Sequence, residues 1–155
     1  MDFYHGEFLF SDDKSLIQAD RAYEMLLKTY WADKRTKEAV RVAIENSLCF
    51  GIYKDGVQVG LARTVTDYGV LYYLCDVVID ESYRGQGLGK ALMKAILEHE
   101  KLESLLGLLA TDDAHSLYEK FGFHRDTRGT AMRKPAPDSK ILAGEPRNGG
   151  RGEAI

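Results

Sequence analysis

A chain of 155 residues that is 45% apolar and 29% charged is long enough for one folded domain with a real core. Its net charge of −3 speaks against a basic nucleic-acid footprint, and no apolar run approaches the ~20 residues needed to span a bilayer. Met1 to Gly6 lack the basic and apolar regions of a signal peptide, and Cys49 and Cys75 lie within apolar runs. Buried reduced thiols, no metal site and a cytoplasmic address are therefore expected.

Taken in order, Glu7–Phe10 reads as a short strand closed by Ser11-Asp12-Asp13, residues suited to a turn or helix cap. Leu16, Ile17, Tyr23, Leu26, Leu27 and Tyr30 recur at helical spacing and predict one amphipathic helix ending near Trp31. Ala32-Asp33-Lys34-Arg35 is a polar break, after which Thr36 can cap a second helix with Ala39, Val40, Ala43 and Ile44 inward. Leu48–Lys54 and Val57–Thr66 read as strands joined by Asp55-Gly56, a strong hairpin signal. Val70–Ile79 is the longest apolar strand, and a helix burying Leu88, Leu92 and Ile96 follows it. The continuous apolar run Leu105–Ala110 reads as a central strand, Ala114–Phe121 as a short helix, and Phe123 onward and Ala131–Lys134 as two last strands. All three prolines lie beyond Lys134 with four glycines, which predicts a domain over 1–134 and a Pro/Gly-rich tail over 135–155. A strand–helix–strand unit after a hairpin meander implies a mixed sheet with helices on both faces.

Between the longest strand and its helix lies Arg84-Gly85-Gln86-Gly87-Leu88-Gly89-Lys90. A glycine-rich turn at a helix start is an anion site: the first N–H groups lack intrahelical partners, and the peptide dipoles place positive charge there. Arg84 and Lys90 add formal charge. A P-loop requires Ser or Thr after Gly-Lys, and here Ala91 follows Lys90. A dinucleotide fingerprint starting at Gly85 requires a sixth-position glycine, where Lys90 stands. What remains is Arg84-x-x-Gly87-x-Gly89.

That loop resembles the R/Q-x-x-G-x-G/A segment of the GNAT superfamily, the Gcn5-related N-acetyltransferases. Thr111-Asp112-Asp113-Ala114-His115-Ser116-Leu117-Tyr118-Glu119-Lys120-Phe121-Gly122-Phe123 resembles the family's N-x-x-A-x-x-L-Y-E-K-x-G-F segment, and the order of elements over residues 7 to 134 is also that of the family. The resemblance implies an α/β GNAT fold, a mostly antiparallel sheet of six or seven strands. It also implies an acetyl-CoA-dependent N-acetyltransferase that needs no metal. By the same resemblance the loop from Arg84 through Gly85, Gln86, Gly87, Leu88 and Gly89 to Lys90 binds the pyrophosphate of coenzyme A. The backbone of Val77, Val78 and Ile79 holds the pantetheine, with Thr111 and Lys120 also at the cofactor. Thr111 departs from the family's asparagine, which leaves its pantetheine contact open.

Tyr118 by that resemblance stands beside the coenzyme sulfur. The leaving thiolate has a free pKa of about 8.5 and a phenol about 10, so Tyr118 can protonate the thiolate or donate a hydrogen bond as charge develops. Asp76 interrupts the apolar run Tyr72–Ile79, and a carboxylate there is costly unless partnered. It is a candidate base, directly or through water, or else a structural carboxylate paired with an arginine such as Arg63. Tyr30, Trp31, Tyr72 and His115 are candidates for the acceptor site; Trp31 can equally cover the core, and His115 can simply open a helix. The acceptor is expected to be a primary amine, on a small molecule rather than a protein. A monomer or homodimer without nucleic-acid or membrane partners is anticipated. A GNAT-fold module that binds acyl-CoA without chemistry is the alternative.

Overall fold

The computed structural model describes residues 1–132. Its sheet has six strands in sequential order: β1 (Asp2–His5), β2 (Phe8–Ser11), β3 (Leu48–Lys54), β4 (Val57–Thr66), β5 (Leu71–Ile79) and β6 (Leu106–Leu109). Every neighbouring pair is antiparallel except β5 and β6, which run parallel. The helices are α1 (Ala19–Leu27), α2 (Lys37–Glu45), α3 (Leu88–Leu97) and α4 (His115–Glu119). This is the mixed, mostly antiparallel architecture with helices on both faces that the sequence predicts.

Two apolar layers flank the sheet. On one face Phe50, Ile52, Val59, Tyr72, Leu74 and Ile79 pack against Leu88, Leu92, Met93 and Ile96 of α3, with Tyr118 and Phe123 at the margin. On the other, Cys49, Leu61 and Val78 meet Ala22, Met25 and Leu26 of α1 and Val40 and Ile44 of α2. Adjacent β5 residues Val78 and Ile79 supply opposite layers, as the two-residue strand repeat requires. Asp55 and Gly56 both adopt positive φ, 49° and 77°, the conformation a two-residue hairpin turn needs.

Several expectations are corrected. The first helix is shorter than its spacing predicts. A 3-10 turn over Lys14–Leu16, capped by Asp13, gives way to extended Ile17, and α1 starts only at Ala19. The break is tertiary. The Gln18 backbone N–H donates to the Gln58 side chain, that of Gln58 to the Gln18 side chain, and Gln18 Nε2 to the Gly56 carbonyl. The chain is thereby pinned to the β3–β4 hairpin. The strand β1 lies before the predicted start; its residues are mostly exposed, so it carries no alternation, and Phe3 stacking on Phe10 fixes it. The run at 105–110 gives β6 over Leu106–Leu109, paired with β5 alone among the described residues, where Leu106 is 59% exposed. No strand begins at Phe123 among the described residues, and the remainder of the second predicted strand, the end of the domain at 134 and the tail lie outside them. No helix among the described residues is long and apolar enough to cross a membrane.

Candidate active site

The site is built on β5. Between Leu61 and Arg63 of β4 the β5 partners jump from Val78 to Cys75, so β5 holds one extra residue there. Asp76 sits in that bulge with φ of 56°, a left-handed conformation that Asp tolerates better than most residues. On its other side β5 is paired to β6 only from Leu71 to Leu74. Beyond Leu74, residues 75–79 have no neighbouring strand on that side among the described residues, so the sheet opens into a V. The backbone edge of residues 75–79, without a strand partner there among the described residues, can pair with an extended ligand as a further strand would.

The open arm of the V leads into the glycine loop. Asp80 fixes the turn: its backbone N–H donates to the Val59 carbonyl, its carboxylate accepts from Ser82 N–H, and Arg21 pairs with it. Burial pushes the Asp80 carboxyl up, but the Ser82 N–H and the Arg21 charge outweigh it and hold it below the usual value. A 3-10 turn over Glu81–Tyr83 then delivers Arg84, whose Nε donates to the Ile79 carbonyl. Gly85 and Gly87 both take positive φ, 77° and 79°, and Gly87 caps α3 without a side chain. No N–H from Gly85 to Lys90 donates a hydrogen bond among the described residues. This loop borders a cleft of about 260 Å³ lined by Ile79, Tyr83, Arg84, Gly85, Leu88, Lys90 and, from α4 and the residue just after it, Ser116, Leu117 and Lys120. Unsatisfied amides at a helix start, ringed by three cations, fit a polyphosphate.

The cleft thus unites most of the loop residues expected at the cofactor with Lys120 from a separate segment; Gln86 is exposed and does not line it. Tyr83, Ser116 and Leu117 were not anticipated. Ser116 lies one helical turn before Lys120, a spacing that already puts the two on one face. The Thr111 hydroxyl is engaged within its own loop, accepting from Ala114 N–H at 3.0 Å and lying 3.4 Å from Asp113 Oδ1. Tyr118 is half-buried, edge-on to Phe123 at 6.0 Å between ring centres. Burial, reinforced by the charges of Tyr30 and Asp113, pushes its phenol up to about 12.

On the opposite face the link between α1 and α2 crosses the V. The Tyr30 hydroxyl donates to Asp113 Oδ1 at 3.2 Å and accepts from Asp112 N–H at 3.1 Å. Five residues on, Arg35 donates to Asp76 Oδ1 at 2.7 Å, while Arg63 Nε takes Asp76 Oδ2 at 2.8 Å. Both oxygens of Asp76 therefore face guanidiniums, the structural alternative to a base, with Arg35 joining the expected Arg63. Trp31 packs on the α1–α2 core with its indole N–H buried and unpartnered among the described residues, its ring edge-on to Tyr30 at 4.9 Å. Tyr72, expected beside the acceptor, instead points to the α3 face and is 3% exposed, its ring lying over Gly107. The strand repeat turns Tyr73, not Tyr72, toward the α1–α2 face. His115 opens α4, half-buried, with no hydrogen bond among the described residues.

Comparison with known proteins agrees with this geometry. The sequence model of an acetyltransferase (GNAT) domain matches residues 45–125. A GNAT-family protein of known structure from Xanthomonas campestris pv. campestris is 37% identical, and it superposes with a TM-score of 0.80 over 86% of this chain and 96% of its own. A Gibberella zeae protein bearing an acetyltransferase name, FG08082, is 28% identical, the match covering 76% of this chain and 79% of that one. The uncharacterised N-acetyltransferase ycf52 of Pyropia yezoensis is 33% identical over 62% of this chain and 59% of its own length. The chain belongs to the GNAT family of acetyltransferases.

Proposed function

We propose that this enzyme transfers the acetyl group of acetyl-CoA to a primary amine of a small molecule. The observation that carries the reading is the continuity of the V with the glycine cradle. An extended arm can pair with β5 at 75–79 while its diphosphate reaches the free amides of Gly85 to Lys90. Arg84, Lys90 and Lys120 supply the countercharge. Val77, Val78 and Ile79 offer backbone groups to the pantetheine. Thr111 contributes less, because its hydroxyl already caps the α4 turn.

In this reading the neutral amine attacks the thioester carbonyl, the C–S bond breaks, the amine loses a proton to water, and the sulfur gains one. Tyr118 serves the sulfur. Its phenol stays protonated at neutral pH and so has a proton to donate to the departing sulfur. Both carboxylate oxygens of Asp76 are taken up by Arg35 and Arg63, which leaves none turned to an amine, so we assign it to holding the two guanidiniums and let water take the amine proton.

Titration calorimetry with acetyl-CoA and a thiol-release assay over an amine panel test the reading. Binding with amine-dependent thiol release is the expected result; binding without release from any amine would favour the non-catalytic module. Tyr118→Phe should lower kcat by roughly 10²-fold with little change in acetyl-CoA affinity. An unchanged kcat would reduce Tyr118 to packing.

A further inference from the structure

The charge on the α1–α2 face is unbalanced. Two guanidiniums, Arg35 and Arg63, share the single carboxylate of Asp76, and guanidinium is never deprotonated in a protein. Neither arginine makes another ion pair among the described residues; Arg63 NH1 donates to a neutral partner, Ser47 Oγ, at 3.0 Å. The cluster therefore carries one net positive charge. Its position follows from burial: the side chains of Asp76 and Arg63 are 2% and 13% exposed, that of Arg35 34%. The inner pair neutralises itself and the surplus rests on Arg35, which uses one N–H on Asp76 and keeps the rest of its fork.

A partly desolvated guanidinium with surplus charge is a site for an oxyanion, which its planar fork matches in geometry. The negative charge of this face lies at the other end of the same link. Tyr30 touches Asp112 and Asp113 beyond the end of β6, next to Tyr118, whereas Arg35 touches the β5 bulge. Acid, from Asp112 and Asp113, thus lies at the Tyr30 end of the link, and a cation, Arg35, at the end that meets the β5 bulge.

We infer that the acetyl acceptor is a primary amine that also bears an oxyanion, a carboxylate or a phosphate, and that Arg35 reads this group. The inference rests on the acetyl-transfer reading above and adds the acceptor class to it. Arg35 is a specificity determinant here, because it meets the acceptor away from the bond that forms.

Matched amines test it: β-alanine against β-alaninamide for a carboxylate, and O-phosphoethanolamine against ethanolamine for a phosphate, each assayed by thiol release from acetyl-CoA. At least one pair should favour its anionic member in kcat/KM by roughly 10-fold to 100-fold, the scale of a hydrogen bond between charged groups, and the favoured pair names the oxyanion. Arg35→Gln should bring that ratio close to one, chiefly through KM, and Arg35→Lys should restore part of it. Acetyl-CoA affinity, measured on each variant, reports a retained fold, and the lysine variant stands in should the glutamine variant not fold. Neutral amines accepted as well as anionic ones, a preference that survives Arg35→Gln, or no amine of either pair accepted from bound acetyl-CoA would each overturn the inference while leaving acetyl transfer in place. Absence of acetyl-CoA binding by the wild type would overturn the underlying reading instead.

Discussion

In the proposed reading the two sides of the V recognise charge by different means. On the α3 side the anion site is backbone: free amides from Gly85 to Lys90, with positive φ at Gly85 and Gly87. On the α1–α2 side recognition is carried by side chains drawn from distant segments, with Arg35 meeting Asp76 and Tyr30 meeting Asp113 across 41 and 83 residues. Backbone recognition needs only a local sequence and suits a ligand that stays the same throughout a family. Side-chain recognition can change one residue at a time without disturbing the sheet, and suits an acceptor that differs between relatives.

The comparison breaks most sharply at Gly87. A β-branched side chain there must enter a left-handed conformation it strongly disfavours, and α3 would lose its starting geometry. Gly87→Val should weaken acetyl-CoA binding by ~100-fold or more, for a cost of about 3 kcal/mol in the cradle, as read by calorimetry. Binding within a few-fold of wild type would remove the glycine loop from the site. On the other side the largest effect should be on stability. Asp76→Asn leaves two guanidiniums facing a neutral amide, and breaking such a buried pair costs about 3 kcal/mol, measurable as a lower urea midpoint at unchanged slope. Unchanged stability would mean that Asp76 is dispensable to the bulge.

The same division explains what could be read in advance. The hairpin, β5, α3 and the anion loop are legible because Asp55-Gly56, the apolar run and Arg84-x-x-Gly87-x-Gly89 each act within a few residues. The Leu117–Lys120 segment is legible by resemblance, and Lys120 does reach the cleft. The α1–α2 side is not. Arg35 reads as part of a polar break because nothing nearby in the sequence reveals that it meets Asp76. Tyr72 and Tyr73 are indistinguishable by composition, and only the register with Gly107 and Leu108 of β6 assigns their faces. Leu106 and Leu108 look like core residues, yet among the described residues they are 59% and 42% exposed, because an apolar run does not say what covers it. Gln18 ends a helical pattern through Gln58, 40 residues away.

A gentler probe of the side-chain face is Tyr30→Phe. It keeps the ring against Trp31 but removes the hydroxyl that joins the α1–α2 link to the Asp112 N–H and the Asp113 carboxylate. The link then loses its hold on the β6 arm of the V, at a cost of about 1 kcal/mol, or roughly 5-fold. That loss should appear in the KM of the amine and not in acetyl-CoA affinity, since the cradle lies on the other face. A matching loss of acetyl-CoA affinity would show that the two sides are coupled.

The smallest expected effect is a flat one. Burial pushes the Tyr118 phenol up to about 12, so it keeps its proton where an exposed tyrosine would lose it at about 10. Between pH 8 and 10 the wild type and Tyr118→Phe should differ by a constant factor, because any rise with pH comes from the acceptor amine and is common to both. The sign for stability follows from the same shift. Above about pH 10 the unfolded chain releases this proton while the folded protein holds it, so the stabilisation from Tyr118 is complete below pH 10 and declines as pH rises toward 12. A titration of activity that falls near pH 10 in the wild type and not in Tyr118→Phe would mean that the phenol is open to water. The sulfur side of the V would then be as solvated as the Arg35 side, and the contrast between a dry reaction centre and a wetter acceptor groove would be lost.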